Sequence, residues 1–103
     1  MAADCTPKPG TFRAFAHMLN REIGILWVIG VASCRTGGHT CELKPAVPQG
    51  FNPAILILDL VCQHGGRTDV LQDVPVVFVQ TETRPPTTVT IEPGSVNVHV
   101  TTI

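Results

Sequence analysis

Three short, mostly apolar runs constrain this chain more than any other feature of its sequence. The longest, IGILWVIGVA at residues 23–32, has ten residues, whereas a helix that crosses a membrane needs about 20. Because this run is rich in β-branched residues, it predicts a buried strand over 25–34 rather than a membrane anchor. The run at 54–62 is apolar on both faces, which predicts a central strand covered on both sides. The run at 74–81 contains a proline, which predicts a strand near a sheet edge or a strand start.

Two further segments favour β structure. TTVTIEPGSVNVHVTT, residues 87–102, predicts a hairpin, because Pro93-Gly94 suits the central positions of a type II turn. Beyond that turn, valines alternate with polar residues, so one face of the strand is expected in the core and the other in water. Another strand is expected at 40–47, across a Gly37-Gly38 turn from the strand at 25–34.

The segment TFRAFAHMLNREIG, residues 11–24, favours a helix. Its apolar residues recur at the i, i+3, i+4 and i+7 spacing from Phe12 to Leu19, and Thr11 can cap the first turn. This pattern predicts one short helix over 12–21. An edge strand is the alternative, because short phenylalanine-rich segments fit both periodicities.

The expected fold class is therefore α+β and mostly β. It comprises about six mainly antiparallel strands in a meander, a small sandwich or an open barrel, with one N-terminal helix. Residues 1–10 are polar and contain two prolines, so they are expected to form a flexible lead-in. Residues 11–103 are expected to form a single β-rich domain, since 103 residues is an ordinary length for one domain.

Charged side chains are unusually scarce. They make up 15% of the chain, against roughly 25% in an ordinary soluble domain, and mean hydropathy is +0.25. A surface with so few charges exposes neutral or apolar area, which a second copy of the chain could cover. We therefore predict a homo-oligomer, with a small apolar ligand or a protein partner as further options. The net charge of −1 and the scattered basic residues favour neither nucleic acid nor a membrane as partner.

The four cysteines allow three interpretations. A tight turn at Gly37-Gly38 would place Cys34 opposite Cys41 at a separation that a disulfide accepts. Free cysteines that serve as small core residues are the favoured interpretation, and a Cys34–Cys41 disulfide is the second. The third is a zinc site, since thiolates and imidazoles are the ligands of tetrahedral zinc. Its candidate ligands form two clusters in the sequence: Cys34, His39, Cys41, Cys62 and His64.

The N-terminal sequence MAADCTPKPG lacks a basic region followed by an apolar one, so no secretory signal is expected. With free thiols, a reducing cytoplasm is the predicted compartment, and no cofactor is expected unless the zinc interpretation holds.

The sequence does not favour an enzyme. None of the P-loop, GxGxxG, HExxH or GxSxG motifs occurs. Asp59 interrupts an apolar strand and His99 lies on a polar strand face, so either could serve an acid–base enzyme. Strand alternation points Asp59 away from Cys62, which argues against a Cys62–His64–Asp59 triad.

The favoured function is a small non-enzymatic binding or structural module that self-associates. Its expected ligand or partner site is an apolar groove between the helix and the sheet, lined by Phe12, Phe15 and Trp27. Two alternatives stay open: a metal-binding or thiol redox-sensing protein that uses the Cys/His pairs, and a small acid–base enzyme.

Overall fold

A computed structural model of the chain describes residues 5–35, 40–63, 72–82 and 84–103. This part of the chain is all-β, with eight strands and no helix, and it has no helix long and apolar enough to cross a membrane. The strands are β1 Cys5–Pro7, β2 Arg13–Met18, β3 Gly24–Cys34, β4 Thr40–Pro45, β5 Ile55–Gln63, β6 Gln72–Glu82, β7 Thr88–Glu92 and β8 Val96–Thr102.

The six strands expected from the sequence correspond to β3 through β8, and β1 and β2 are additional. The chain is therefore β-rich as predicted, but the α+β class and the helix over 12–21 are wrong. Strand β2 occupies that segment and pairs with β3 on one side and β8 on the other. β1 lies within the segment expected to be a flexible lead-in, where Cys5–Pro7 pairs antiparallel with the end of β3.

The helix prediction failed because the segment carries two periodicities at once. Phe12, Ala14 and Ala16 are buried while Arg13 and His17 are exposed, which is the two-residue alternation of a strand. The helical spacing of the same apolar residues is equally regular over so short a stretch. Two neighbouring strands supply hydrogen-bond partners for the backbone of β2, and such a tertiary contact overrides a weak local preference.

The strands form one continuous mixed sheet that folds over into two layers, because β8 changes neighbour along its length. Its C-terminal half runs parallel to β2, where Ala14 lies beside Val100, and its N-terminal half runs antiparallel to β7, where Thr90 lies beside Asn97. We call the layer of β1, β2, β3 and β6 sheet A and the layer of β4, β5 and β7 sheet B. β8 belongs to both.

The core lies between the two layers. Alternation along each strand turns one set of side chains inward, and these side chains form a single buried cluster. Its fully buried members come from both sheets: Leu26, Val28 and Cys34 from sheet A, and Leu58, Val89 and Ile91 from sheet B.

Phe12 packs in this core against Gly30 of β3, a position that has no side chain. Its side chain is 3% exposed and its ring lies directly over Gly30, where a Cβ atom would come within 2.2 Å of Phe12 Cδ1. A glycine in a strand interior commonly marks such a close approach. The absence of a side chain at Gly30 therefore makes room for the Phe12 ring, which fills this part of the core.

The predicted hairpin at 87–102 is confirmed as β7 and β8, which pair antiparallel. Its turn contains Pro93, Gly94 and Ser95, and both Gly94 and Ser95 have positive φ, at 99° and 52°. The predicted Gly37-Gly38 turn lies outside the described residues. β4, the strand beyond it, pairs with β5 rather than with β3.

Candidate functional site

The outer side of sheet A is apolar. On β3 and β6, every second residue points away from the core, and from Ile25 to Val31 and from Pro75 to Val79 those outward residues are hydrophobic. Antiparallel register places them side by side, so that Trp27 lies between Phe15 and Val79, and Ile29 lies beside Val77. We call this surface the apolar face; its residues are Phe15, Ile25, Trp27, Ile29, Val31, Pro75, Val77 and Val79.

Much of this surface is open to solvent. Val77 is 61% exposed, Val79 is 57% exposed and Ile29 is 43% exposed. At one end, Ile29, Val31 and Val77 help to line a shallow, mainly apolar depression of about 510 Å³. Exposure of several neighbouring β-branched side chains on one face is a feature of contact surfaces rather than of a face adapted to water.

The charged groups at the border of the apolar face already have partners. Lys8 Nζ lies 3.0 Å from Asp73 Oδ2. Arg13 Nη1 donates to the carbonyl oxygens of Gly10 and Phe12, at 3.2 Å and 2.9 Å. Lys8 and Asp73 therefore offset one another's charge, whereas Arg13 keeps its positive charge at this border.

The outer side of sheet B is different in character, because polar residues dominate it. Lys44 lies opposite Asp59, and Lys44 Nζ is 3.3 Å from Glu42 Oε1. In the next strands, the Thr90 hydroxyl donates to Asn97 Oδ1 at 2.8 Å. These cross-strand polar pairs are typical of a sheet face in contact with water.

The cysteines form two disulfides. Cys5 on β1 bonds to Cys34 on β3, and Cys41 on β4 bonds to Cys62 on β5. In each case the two residues lie directly opposite one another in an antiparallel pair. The free-thiol interpretation is therefore wrong. The predicted Cys34–Cys41 disulfide is wrong in its partners, because Cys34 bonds to Cys5 and Cys41 bonds to Cys62.

The two disulfides lie against each other at one end of the sandwich. All four Sγ atoms fall within 4.8 Å of one another. Cys5 and Cys34 are buried, and Cys41 and Cys62 are half-buried. We call these four residues the cysteine cluster. The cluster brings together Cys34, Cys41 and Cys62, which belong to two separate groups of candidate ligands in the sequence.

Cys5 is the member of the cluster that sequence reasoning missed. It lies in a polar segment with no strand pattern, so only the even number of cysteines pointed to a partner for it. Of the other predicted metal ligands, Cys34, Cys41 and Cys62 are brought together. His39 and His64 lie outside the described residues.

The two acid–base candidates do not converge. Both lie on the outer side of sheet B, where Asp59 is half-buried on β5 and His99 is exposed on β8. The register places His99 beside Thr88 and Thr88 beside Ile55, four residues along β5 from Asp59. With β7 between them, the two backbones are roughly 16 Å apart by standard strand spacings. One proton-transfer site cannot use both residues.

The predicted aromatic site is divided between the two sides of sheet A. Phe12 lies in the core, whereas Phe15 and Trp27 are neighbours in the apolar face. A groove between helix and sheet has no counterpart, because the segment predicted as a helix is a strand of that sheet. Comparisons with models of known protein families, with curated proteins and with solved structures find no match to this chain.

Proposed function

We propose that this chain is a small non-enzymatic module that self-associates, with the apolar face of one copy packed against the apolar face of a second. The observation that carries this proposal is the contrast between the two outer surfaces of one sandwich. The outer side of sheet A presents exposed Val77, Val79 and Ile29, whereas the outer side of sheet B presents hydrogen-bonded and charged pairs. Loops also expose large apolar residues, among them Val47 and Phe51, but on the apolar face such residues are neighbours on adjacent strands, which is typical of a contact surface.

A second copy fits this surface better than a charged partner does. Two β-sheets pack face to face when their side chains interdigitate, and identical sheets have matching twist. The apolar face supplies β-branched side chains around one large aromatic residue, Trp27, and a buried aromatic group is a common energetic centre of an interface. A two-fold dimer also places the same neutral surface on both sides.

The size of the apolar face indicates a reversible dimer. Three strands at about 4.8 Å spacing, over about eight residues at 3.3 Å each, give a plan area of roughly 400 Å² per copy. A stable interface typically buries about 800 Å² per partner. We therefore expect association that depends on concentration rather than a permanent dimer.

The two disulfides support a non-reducing setting for this module, since such bonds persist where thiols are not kept reduced. The earlier expectation of a reducing cytoplasm depended on free cysteines, and all four are paired. The proposed setting is therefore a compartment or surface in which the Cys5–Cys34 and Cys41–Cys62 bonds remain oxidised.

The substitution Val77→Lys is expected to raise the dimer dissociation constant by at least about 30-fold. Each copy would then place an ammonium group against an apolar surface, and the two groups together would cost about 2 kcal/mol or more. Sedimentation equilibrium over a wide concentration range measures this change directly.

Val61→Lys is the matched control, since Val61 is an exposed valine on the outer side of sheet B. It should leave the dissociation constant within about threefold of the unmodified value. A chain that stays monomeric at every concentration would contradict the proposal, and so would equal weakening by the two substitutions.

A further inference from the structure

We propose that, when its disulfides are reduced, the cysteine cluster becomes a closed zinc site with four thiolate ligands. The two disulfides would then be replaced by one metal centre. The site includes Cys5 and Cys34 on the inner side of sheet A, whereas the apolar face is on its outer side. The inference therefore does not depend on self-association through the apolar face.

The positions of the sulfur atoms carry the inference. Zinc binds four cysteines as a tetrahedron with Zn–S bonds of about 2.3 Å, which places the sulfurs about 3.8 Å from one another. The four Sγ atoms of the cluster already lie within 4.8 Å of one another. Once the two S–S bonds are broken, shifts of about 1 Å by side-chain rotation bring the sulfurs to tetrahedral spacing.

The chemistry of the ligand set points to zinc or a similarly thiophilic ion. Each of four strands contributes one sulfur, and the two sheets contribute two each. Four protein ligands leave no open coordination position, which is the arrangement of structural rather than catalytic zinc sites. Cys41 and Cys62 are only half-buried, so an ion can reach the sulfurs from their side.

The conversion balances with a dithiol as reductant. Two dithiol molecules are oxidised to their cyclic disulfides, and each transfers two electrons and two protons to one protein disulfide, which gives four thiols. Zn²⁺ then binds four thiolates and displaces their four protons, so the metal form is favoured as pH rises. No other reactant is required.

The two states would connect the fold differently. The disulfides join β1 to β3 and β4 to β5, so each stays within its own sheet. A metal held by all four sulfurs would join sheet A to sheet B across the core. Reduction in the presence of zinc would therefore exchange two links inside the layers for one link between them, which makes the cluster a redox-dependent site.

The test uses the full chain, reduced with a phosphine in the absence of oxygen and titrated with Co²⁺. We expect one cobalt per chain, the visible absorption of a tetrahedral tetrathiolate complex, and displacement of cobalt by Zn²⁺. With zinc bound, all four thiols should resist alkylation while the β-sheet circular dichroism is retained. The double variant Cys41→Ser/Cys62→Ser should lose at least about 100-fold in metal affinity.

The double variant His39→Ala/His64→Ala is the matched control, because both histidines lie near the cysteines in the sequence. It should bind cobalt with an unchanged spectrum. The proposal is overturned if the reduced chain binds no metal, if metal fails to restore or retain the β-sheet signal, or if removing the histidines changes the spectrum.

Discussion

Replacement of Cys5 and Cys34 together by alanine is expected to lower the free energy of unfolding by about 3–4 kcal/mol. The disulfide closes a loop with a sequence separation of 29 residues, and a loop of that length removes this much entropy from the unfolded chain in the chain-entropy model. The Cys41–Cys62 bond spans 21 residues, and its loss should cost about 3 kcal/mol. Because the two bonds constrain different loops, loss of both should cost about 7 kcal/mol.

That sum is comparable with the whole stability of an ordinary domain, which is about 5–15 kcal/mol. Urea unfolding of each double-alanine variant and of the fully reduced metal-free chain, compared with the oxidised chain, measures the three decreases in the free energy of unfolding. The matched control is Cys41→Ala/Cys62→Ala, which keeps the Cys5–Cys34 bond intact. An unfolding midpoint that does not change on metal-free reduction would contradict the role assigned to the disulfides.

The second large effect is expected where Phe12 packs on Gly30. A methyl group at Gly30 would overlap the Phe12 ring, with Cβ 2.2 Å from Cδ1, so Gly30→Ala should cost about 2–3 kcal/mol through overpacking. Phe12→Ala should cost about 3–5 kcal/mol, because it removes a buried ring and leaves a cavity. In the Phe12→Ala background, Gly30→Ala should cost less than about 1 kcal/mol.

The four chains of this double-mutant cycle are compared by urea unfolding. Gly50→Ala is the control for a simple glycine replacement, because a Cβ atom at Gly50 would lie at an ordinary 3.5 Å from Ile57 Cδ1. Additivity of the Phe12 and Gly30 substitutions within about 0.5 kcal/mol would show that the ring does not occupy the space above Gly30.

The parts of the fold that could be predicted were those with a strong local signal. The β-branched runs predicted β3, β5 and β6, and Pro93-Gly94 marked the turn between β7 and β8. The pairing of β5 with β7 and of β2 with β8 is parallel, and nothing in a local pattern reveals such long-range neighbours. The same limitation explains why the local pattern of residues 12–21 predicts a helix where β2 lies.

The sequence predicted the residue types of the candidate sites but not where those sites lie in the fold. Few charges indicated that some apolar surface would be exposed, and Phe15 and Trp27 do lie on it. Its location could not be predicted, because an apolar run alone does not show whether a second layer covers the outer side of the strand. Likewise, Cys34, Cys41 and Cys62 were identified, but their meeting depends on the packing of the two sheets.

The fluorescence of Trp27 tests self-association through the apolar face most directly, because Trp27 is the single tryptophan of the chain and lies between Phe15 and Val79 on that face. We measure its emission maximum and its quenching by acrylamide as the protein is diluted. Packing of the apolar face against a second copy predicts emission at longer wavelength and stronger quenching at low concentration. The Val77→Lys variant should show the emission and quenching of the diluted protein at every concentration. Emission and quenching that stay the same at every concentration would contradict it.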